Sequence, residues 1–245
     1  VTRLSLGFVG FVLAFVGIVW LINLHNFMDG IEGLAGTQAV TVADTAALLI
    51  AGMRVGLLPN PGTAAAGMAG AGADAASLAL VSMLLVPASA GFLLWNWPSA
   101  RIFMGDVGSG FLRFTFGVLA VASGNSGALP LLVWMLLLGV FVVDATATLL
   151  RRIRRGERWA EAHRTHAYQL AVQAGHTHKQ VTVAVLGINI VLGAAATVAC
   201  AWPRALLLVA VIAAAALVVL RAKVVKACEV QCGGCVTTGR HSVHL

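Results

Sequence analysis

Residues 23–36 read NLHNFMDGIEGLAG and follow a nearly uninterrupted apolar run. Asn23, His25, Asn26, Asp29 and Glu32 arrive almost together. Asn23, Asn26 and Asp29 recur every three residues, a spacing that keeps them within about a third of a helix circumference. Gly30, Gly33 and Gly36 follow, and glycine lets a backbone turn and approach a ligand closely. Amides beside a carboxylate suit the base and ribose of a nucleotide, and the carboxylate alone suits a metal. A helix cap needs a single Asn or Asp, which is less than this stretch supplies.

Two further polar stretches carry related chemistry. Residues 101–110 read RIFMGDVGSG, with Asp106 between Gly105 and Gly108, just before an apolar segment. Helix starts attract phosphate through free N–H groups and the helix dipole. A lone carboxylate there repels phosphate unless a divalent cation lies between them, as Mg²⁺ does with one or two carboxylates plus phosphate oxygens. The plainer alternative is Asp106 as a simple cap. Residues 161–180 read EAHRTHAYQLAVQAGHTHKQ. His163, Arg164 and His166 cluster there, and H-x2-H lacks a well-placed third ligand for zinc. Imidazole and guanidinium donors facing a pyrophosphate suit them better. His176 and His178 read as part of a solvated loop. Asp144 stands inside an apolar segment, where a carboxylate is a functional candidate or a neutral, hydrogen-bonded group. Asp44 carries the same question with less weight.

The elements that must position these residues are membrane helices. The chain has 245 residues, 60% hydrophobic and 10% charged, against roughly 25% charged in soluble domains. Its mean hydropathy is +0.93. Apolar segments lie near 4–24, 37–57, 77–96, 111–124, 129–150, 181–201 and 204–222. Lipid leaves backbone groups unsatisfied outside helices, so the expected fold is an all-α, polytopic transmembrane bundle of about seven helices. The first segment lacks the basic start and small-residue cleavage site of a signal peptide. Residues 1–222 form one membrane domain in this reading, and 223–245 a disordered cytoplasmic tail. The net charge of +7 owes much to RRIRRGER at 151–158, with five arginines. Beside a membrane helix that block reads as a cytoplasmic anchor rather than a nucleic-acid site. Counting outward from it places the loops at 23–36, 97–110 and 151–180 on the cytoplasmic face. The Gly/Ala/Pro-rich 58–76 loop, a passive connector, falls on the other. The tail holds Cys228, Cys232 and Cys235 with His241 and His244 nearby, a metal-like spacing without a folded module around it.

Taken together the motifs resemble one family. The pattern N-x2-N-x2-D-G-x-E-G-L-A at 23–35, FMGDVGSG at 103–110 and HRTHAYQ at 163–169 is similar to that of the polyprenyl-phosphate N-acetylhexosamine-1-phosphate transferases. These are the MraY/WecA-type enzymes of glycosyltransferase family 4, and the resemblance spans residues 4 to 222. NFMDGIEG and HRTHAYQ look most like the O-antigen and lipopolysaccharide initiating branch. The resemblance implies transfer of a sugar 1-phosphate from a UDP-N-acetylhexosamine to undecaprenyl phosphate, with release of UMP, in a bacterial cytoplasmic membrane. It implies Mg²⁺ as cofactor, with Mn²⁺ as an alternative, and a homodimer as an open option. It nominates Asp29, Asp106, His163 and His166 as catalytic and Asp106 as the metal ligand. Asn23, Asn26, Glu32 and Arg164 are the expected substrate contacts.

Departures from the pattern are equally specific. Family members carry an Asp-Asp motif in an earlier loop, preceded by further helices, and this chain has no Asp-Asp pair. The expectation is therefore that an N-terminal part precedes Val1. Glu32 stands where many relatives have Asp, and Arg113 where the family usually has Gly. Two rival readings follow: an inactive family member that only binds nucleotide or lipid, and a transporter using Asp44 and Asp144 as an ion path.

Overall fold

The computed structural model describes residues 7–26, 30–59, 71–156 and 165–231. The chain is all-α. Helix α1 spans Gly7–Asn26, α2 Leu34–Arg54, α3 Ala71–Asn96 and α4 Gly105–Ser126. Then come α5 (Leu131–Leu137), α6 (Gly139–Arg154), the short α7 (Ala167–Gln173), α8 (His178–Ala201) and α9 (Leu206–Gln231). Among the described residues, five helices are long and apolar enough to cross a membrane, and the α5/α6 pair makes a sixth if it counts as one span. The apolar part of α1, Gly7–Asn23, is shorter.

Helix α2 lies at the centre. It packs most extensively on α3 and also meets α8. Small side chains allow this close approach: Ala39, Ala43 and Ala46 are buried against α2's neighbours, with Val42, Leu49 and Ile50 between them. Without a hydrophobic drive between helices in lipid, such close packing is what holds a bundle together. A second apolar cluster, Ile31, Leu34, Phe141, Ala145, Tyr168, Val181 and Val185, ties the first polar loop to α6, α7 and α8.

The segment expected as one span over 129–150 is two helices bent by 79°. Such a break frees backbone groups, and in a bilayer these must find partners within the protein. They do: Leu137 and Leu138 are buried, and Gln38 on α2 donates through Nε2 to the Leu137 carbonyl at 3.0 Å. Asn189 on α8 donates in turn to Gln38 Oε1 at 2.7 Å. Trp134 on α5 is fully buried and its indole N–H reaches Ser123 Oγ on α4 at 2.7 Å.

Two further boundaries differ from expectation. Helix α4 starts at Gly105, so Asp106 lies within its first turn rather than before it. Helix α9 runs past residue 222 to Gln231, because Val225 and Cys228 bury against Leu170 of α7. The tail cysteines Cys232 and Cys235 lie outside the described residues.

Candidate functional site

The three polar loops meet at one end of the bundle, and named contacts bring them together. In the first, Gly33 adopts φ +77°, a left-handed conformation that a side chain would strain. Its N–H donates to Asn96 Oδ1 at 2.9 Å, at the end of α3. Asn96 is buried and passes the link on, donating through Nδ2 to the Ile102 carbonyl at 2.9 Å in the second loop. Thr182 on α8 donates to the Glu32 carbonyl at 2.9 Å, and His178 Nδ1 stands 3.5 Å from Glu32 Oε2. Gly30 lies so close to Tyr168 and Gln169 of α7 that a Cβ there would collide with the Tyr168 hydroxyl. These glycines were expected to admit a ligand. What they admit is the rest of the protein: the loop is wedged between the ends of α3, α7 and α8.

The third loop is anchored by Asp144. This carboxylate is buried on α6, 6% exposed. Both its oxygens accept from the Ala167 N–H at 3.1 Å, at the start of α7. Its Oδ2 stands 3.6 Å from His166 Nδ1, on an imidazole only 1% exposed. From α9, Arg221 donates through Nε to Asp144 Oδ1 at 2.8 Å and through Nη2 to Thr148 Oγ1 at 2.7 Å. His166 also stacks on Tyr168, ring centroids 5.9 Å apart, and its backbone N–H donates to Gln169 Oε1 at 3.3 Å. A charged, hydrogen-bonded pair of this kind can hold a loop in one place when its groups are mutually satisfied. Asp144 is therefore committed to α7 and Arg221, a task the transporter reading does not call for. Asp44 is exposed on α2.

The nominated residues are placed as follows. Asp106 is exposed in the first turn of α4, and Ser109 beside it turns back to its own helix, donating to the Gly105 carbonyl at 2.9 Å. Asn23 sits in the last turn of α1, exposed, with Nδ2 donating to the Val19 carbonyl at 2.9 Å. Asn26 ends α1, and its side chain is outside the described set. Asp29, His163 and Arg164 lie outside the described residues. Glu32 and His166 join the contacts above. Arg113 is buried, 4% exposed, and lines a cavity of about 20 Å³ with Gln38, Ser109 and Phe141, about room for one water.

Among the described residues no three His, Cys, Asp or Glu side chains gather as a metal cage. Asp106 offers one open carboxylate. That fits the way Mg²⁺ binds, through one or two carboxylates, with substrate phosphates and water completing its octahedron. Sequence reasoning missed Asn96, Thr182, Tyr168 and Arg221. Arg221 had a signal: it is the first cation after the long apolar run of α9, a natural partner for the lone carboxylate of α6, Asp144.

Comparison with known proteins adds the family. Residues 1–124 match the model of Glycosyl transferase family 4. A probable undecaprenyl-phosphate N-acetylglucosaminyl 1-phosphate transferase of Bacillus subtilis is 26% identical over 199 residues, 80% of this chain and 50% of that protein. A decaprenyl-phosphate N-acetylglucosaminephosphotransferase of Mycolicibacterium smegmatis is 32% identical over 197 residues, 74% of this chain and 45% of that protein. A phospho-N-acetylmuramoyl-pentapeptide-transferase of Frankia alni is 36% identical over 152 residues, 61% of this chain and 41% of that protein. The chain thus spans half or less of the length of these relatives.

Proposed function

This chain belongs to glycosyl transferase family 4, and from that premise we propose that it transfers an N-acetylhexosamine 1-phosphate group from a UDP-sugar to undecaprenyl or a related polyprenyl phosphate. An oxygen of the lipid phosphate forms a bond to the β-phosphorus of the UDP-sugar. The bond from that phosphorus to the bridging anhydride oxygen breaks, and UMP leaves. The reaction sets an anion against an anion, so charge screening matters more than a strong base. The observation that carries this reading is the meeting of the motif loops through Gly30, Gly33, Asn96, Tyr168 and Asp144.

In this reading the buried His166, held by Asp144 and Tyr168, anchors the third loop near the pyrophosphate. Asp106 would hold Mg²⁺, or Mn²⁺ in its place. The ion, when bound, supplies positive charge between the phosphates and the carboxylate. Asp29, His163, Arg164, Asn23, Asn26 and Glu32 complete the proposed site. The arginine-rich end of α6 supports a topology in which the loops face the cytoplasm at a bacterial inner membrane. The product would start an O-antigen, lipopolysaccharide or related envelope glycan. The second reading is binding of nucleotide or lipid without turnover, as an inactive member of the family.

The test is Mg²⁺-dependent UMP release from UDP-N-acetylglucosamine by membranes carrying the chain and supplied with undecaprenyl phosphate. Release is expected, and Asp106→Asn should lower it at least about 100-fold. Retained UDP-sugar binding without release would favour the second reading. Neither binding nor release would sink both.

A further inference from the structure

Helix α7 has seven residues, too few to hold a helix on its own, so its place is set by what grips it. Its start is gripped by Asp144, whose two oxygens accept from the Ala167 N–H at 3.1 Å. Its buried Leu170 packs with Val225 and Cys228 of α9, and its Tyr168 joins Ile31, Leu34 and Phe141. The carboxylate at that start is itself steered from α9. Arg221 donates through Nε to Asp144 Oδ1 at 2.8 Å and through Nη2 to Thr148 Oγ1 at 2.7 Å. Residues 144 and 148 lie one turn apart on α6, so the guanidinium plane is fixed by two neighbouring acceptors. With Oδ1 held by Arg221, Oδ2 is the oxygen turned to His166 Nδ1, 3.6 Å away.

Keeping α9 in the bundle does not explain Arg221. Leu206, Val209, Ala213 and Leu217 lay α9 on the core, and Val225 and Cys228 secure its end. A buried ion pair also adds little net stability over an apolar pair of the same shape, because both charges must leave water. What the pair does supply is direction: a guanidinium fork fixes the plane of the carboxylate it holds. A carboxylate free to rotate can still accept from Ala167, but not from one fixed angle. These bonds of Arg221 end on Asp144 and Thr148, so its influence on α7 passes through the carboxylate.

We propose that Arg221 is a positioning residue of the transfer reaction: through Asp144 it aims the start of α7, and with it the loop that leads into α7 through His166. The proposal rests on the transferase reading for its chemistry and on the contacts at Asp144 for its geometry. Phosphoryl transfer depends mainly on positioning and on charge stabilisation. A misplacement of about 1 Å can cost about 100-fold in rate. Most of the proposed substrate contacts belong to the first loop, so loss of Arg221 should fall on kcat more than on KM.

The test uses the whole chain, purified in detergent, with UDP-N-acetylglucosamine and undecaprenyl phosphate as probes. UMP release is measured beside hydrogen exchange across residues 166–173. Arg221→Gln should lower kcat about tenfold or more, move KM for the UDP-sugar less than about threefold, and speed exchange at the start of α7. Arg221→Lys keeps the charge and should recover most of the loss. Thr148→Val frees one arm of the fork and should cost about threefold in kcat. Because Arg221→Gln leaves a buried carboxylate without its cation, Arg221→Met combined with Asp144→Asn serves as the fold-sparing variant. An acceptor for Ala167 remains there, no charge is orphaned, and the kcat loss should persist. Wild-type kcat in that folded double variant would overturn the proposal, as would a loss confined to KM. Exchange at α7 unmoved by Arg221→Gln would overturn it too. No UMP release by the wild type, with exchange still speeded by Arg221→Gln, would instead sink the transferase reading and leave the coupling of α9 to α7 standing.

Discussion

Helices α2 and α9 are both long and apolar, yet they occupy opposite situations. Helix α2 is the less hydropathic of the two and is mostly buried. Helix α9 is the more hydropathic and is at most half-buried along its spanning stretch. In water that order would be inverted. In lipid the surroundings are as apolar as a leucine side chain, so hydropathy marks the surface, and small or polar residues mark the inside. The buried polar side chains of α2 serve the interior: Gln38 answers the broken backbone at Leu137 and meets Asn189. Helix α9 lays one side on the core through Leu206, Val209, Ala213 and Leu217, and joins the polar network only near its end, through Arg221.

The largest expected effect tests whether α9 is tied in at that end. Asp144→Ala leaves Arg221 without its carboxylate and Ala167 without its acceptor. Removing one member of a buried pair costs about 3–5 kcal/mol. Unfolding of the whole chain in detergent should show a loss of that size. A loss below about 1 kcal/mol, the range of exposed pairs, would mean that α9 is held elsewhere. Next in size is Gln38→Leu, which orphans the Leu137 carbonyl and the Asn189 amide at the centre of α2. The expected cost is about 1–3 kcal/mol, with faster amide exchange around residues 137–139. An unchanged midpoint and unchanged exchange would show that the break at Leu138 needs no partner on α2.

How far the sequence reveals this arrangement depends on what leaves a periodic trace. The spans are legible because runs of apolar residues have the length a bilayer demands. Asp144 is legible as special because a carboxylate in such a run is costly. The break between α5 and α6 is hidden because LLVWMLLLGVFVV is apolar on both sides of it; Gly139 is its one local hint. Helix α7 is hidden because seven residues carry barely two turns of pattern. The contacts that assemble the site are hidden for a different reason. Asn96 to Gly33 and Thr182 to Glu32 join side chains to backbone groups far away in the chain. Such a bond imposes no spacing on its neighbours. The glycines of the first loop mislead in the same way: a need for closeness is visible, but not what comes close.

The smallest expected effect bears on α9's outer face. Ile212 is exposed there, whereas Leu49 on α2 is buried at 2%. Leu49→Ala should cost about 2–5 kcal/mol, since it empties space between packed helices. Ile212→Ala should stay within about 0.5 kcal/mol, because detergent or lipid fills the lost volume and restores most of the dispersion contacts. The contrast is informative in both directions. Equal losses at the two positions would mean that something ordered, rather than fluid hydrocarbon, packs on α9. A second copy of the chain is the occupant already in view from the family resemblance. It would make the Ile212→Ala loss depend on protein concentration, because an oligomer's apparent stability follows mass action. A loss near zero at every concentration would mean that the outer face of α9 meets only lipid, while Leu206, Val209, Ala213 and Leu217 hold its other side to the core.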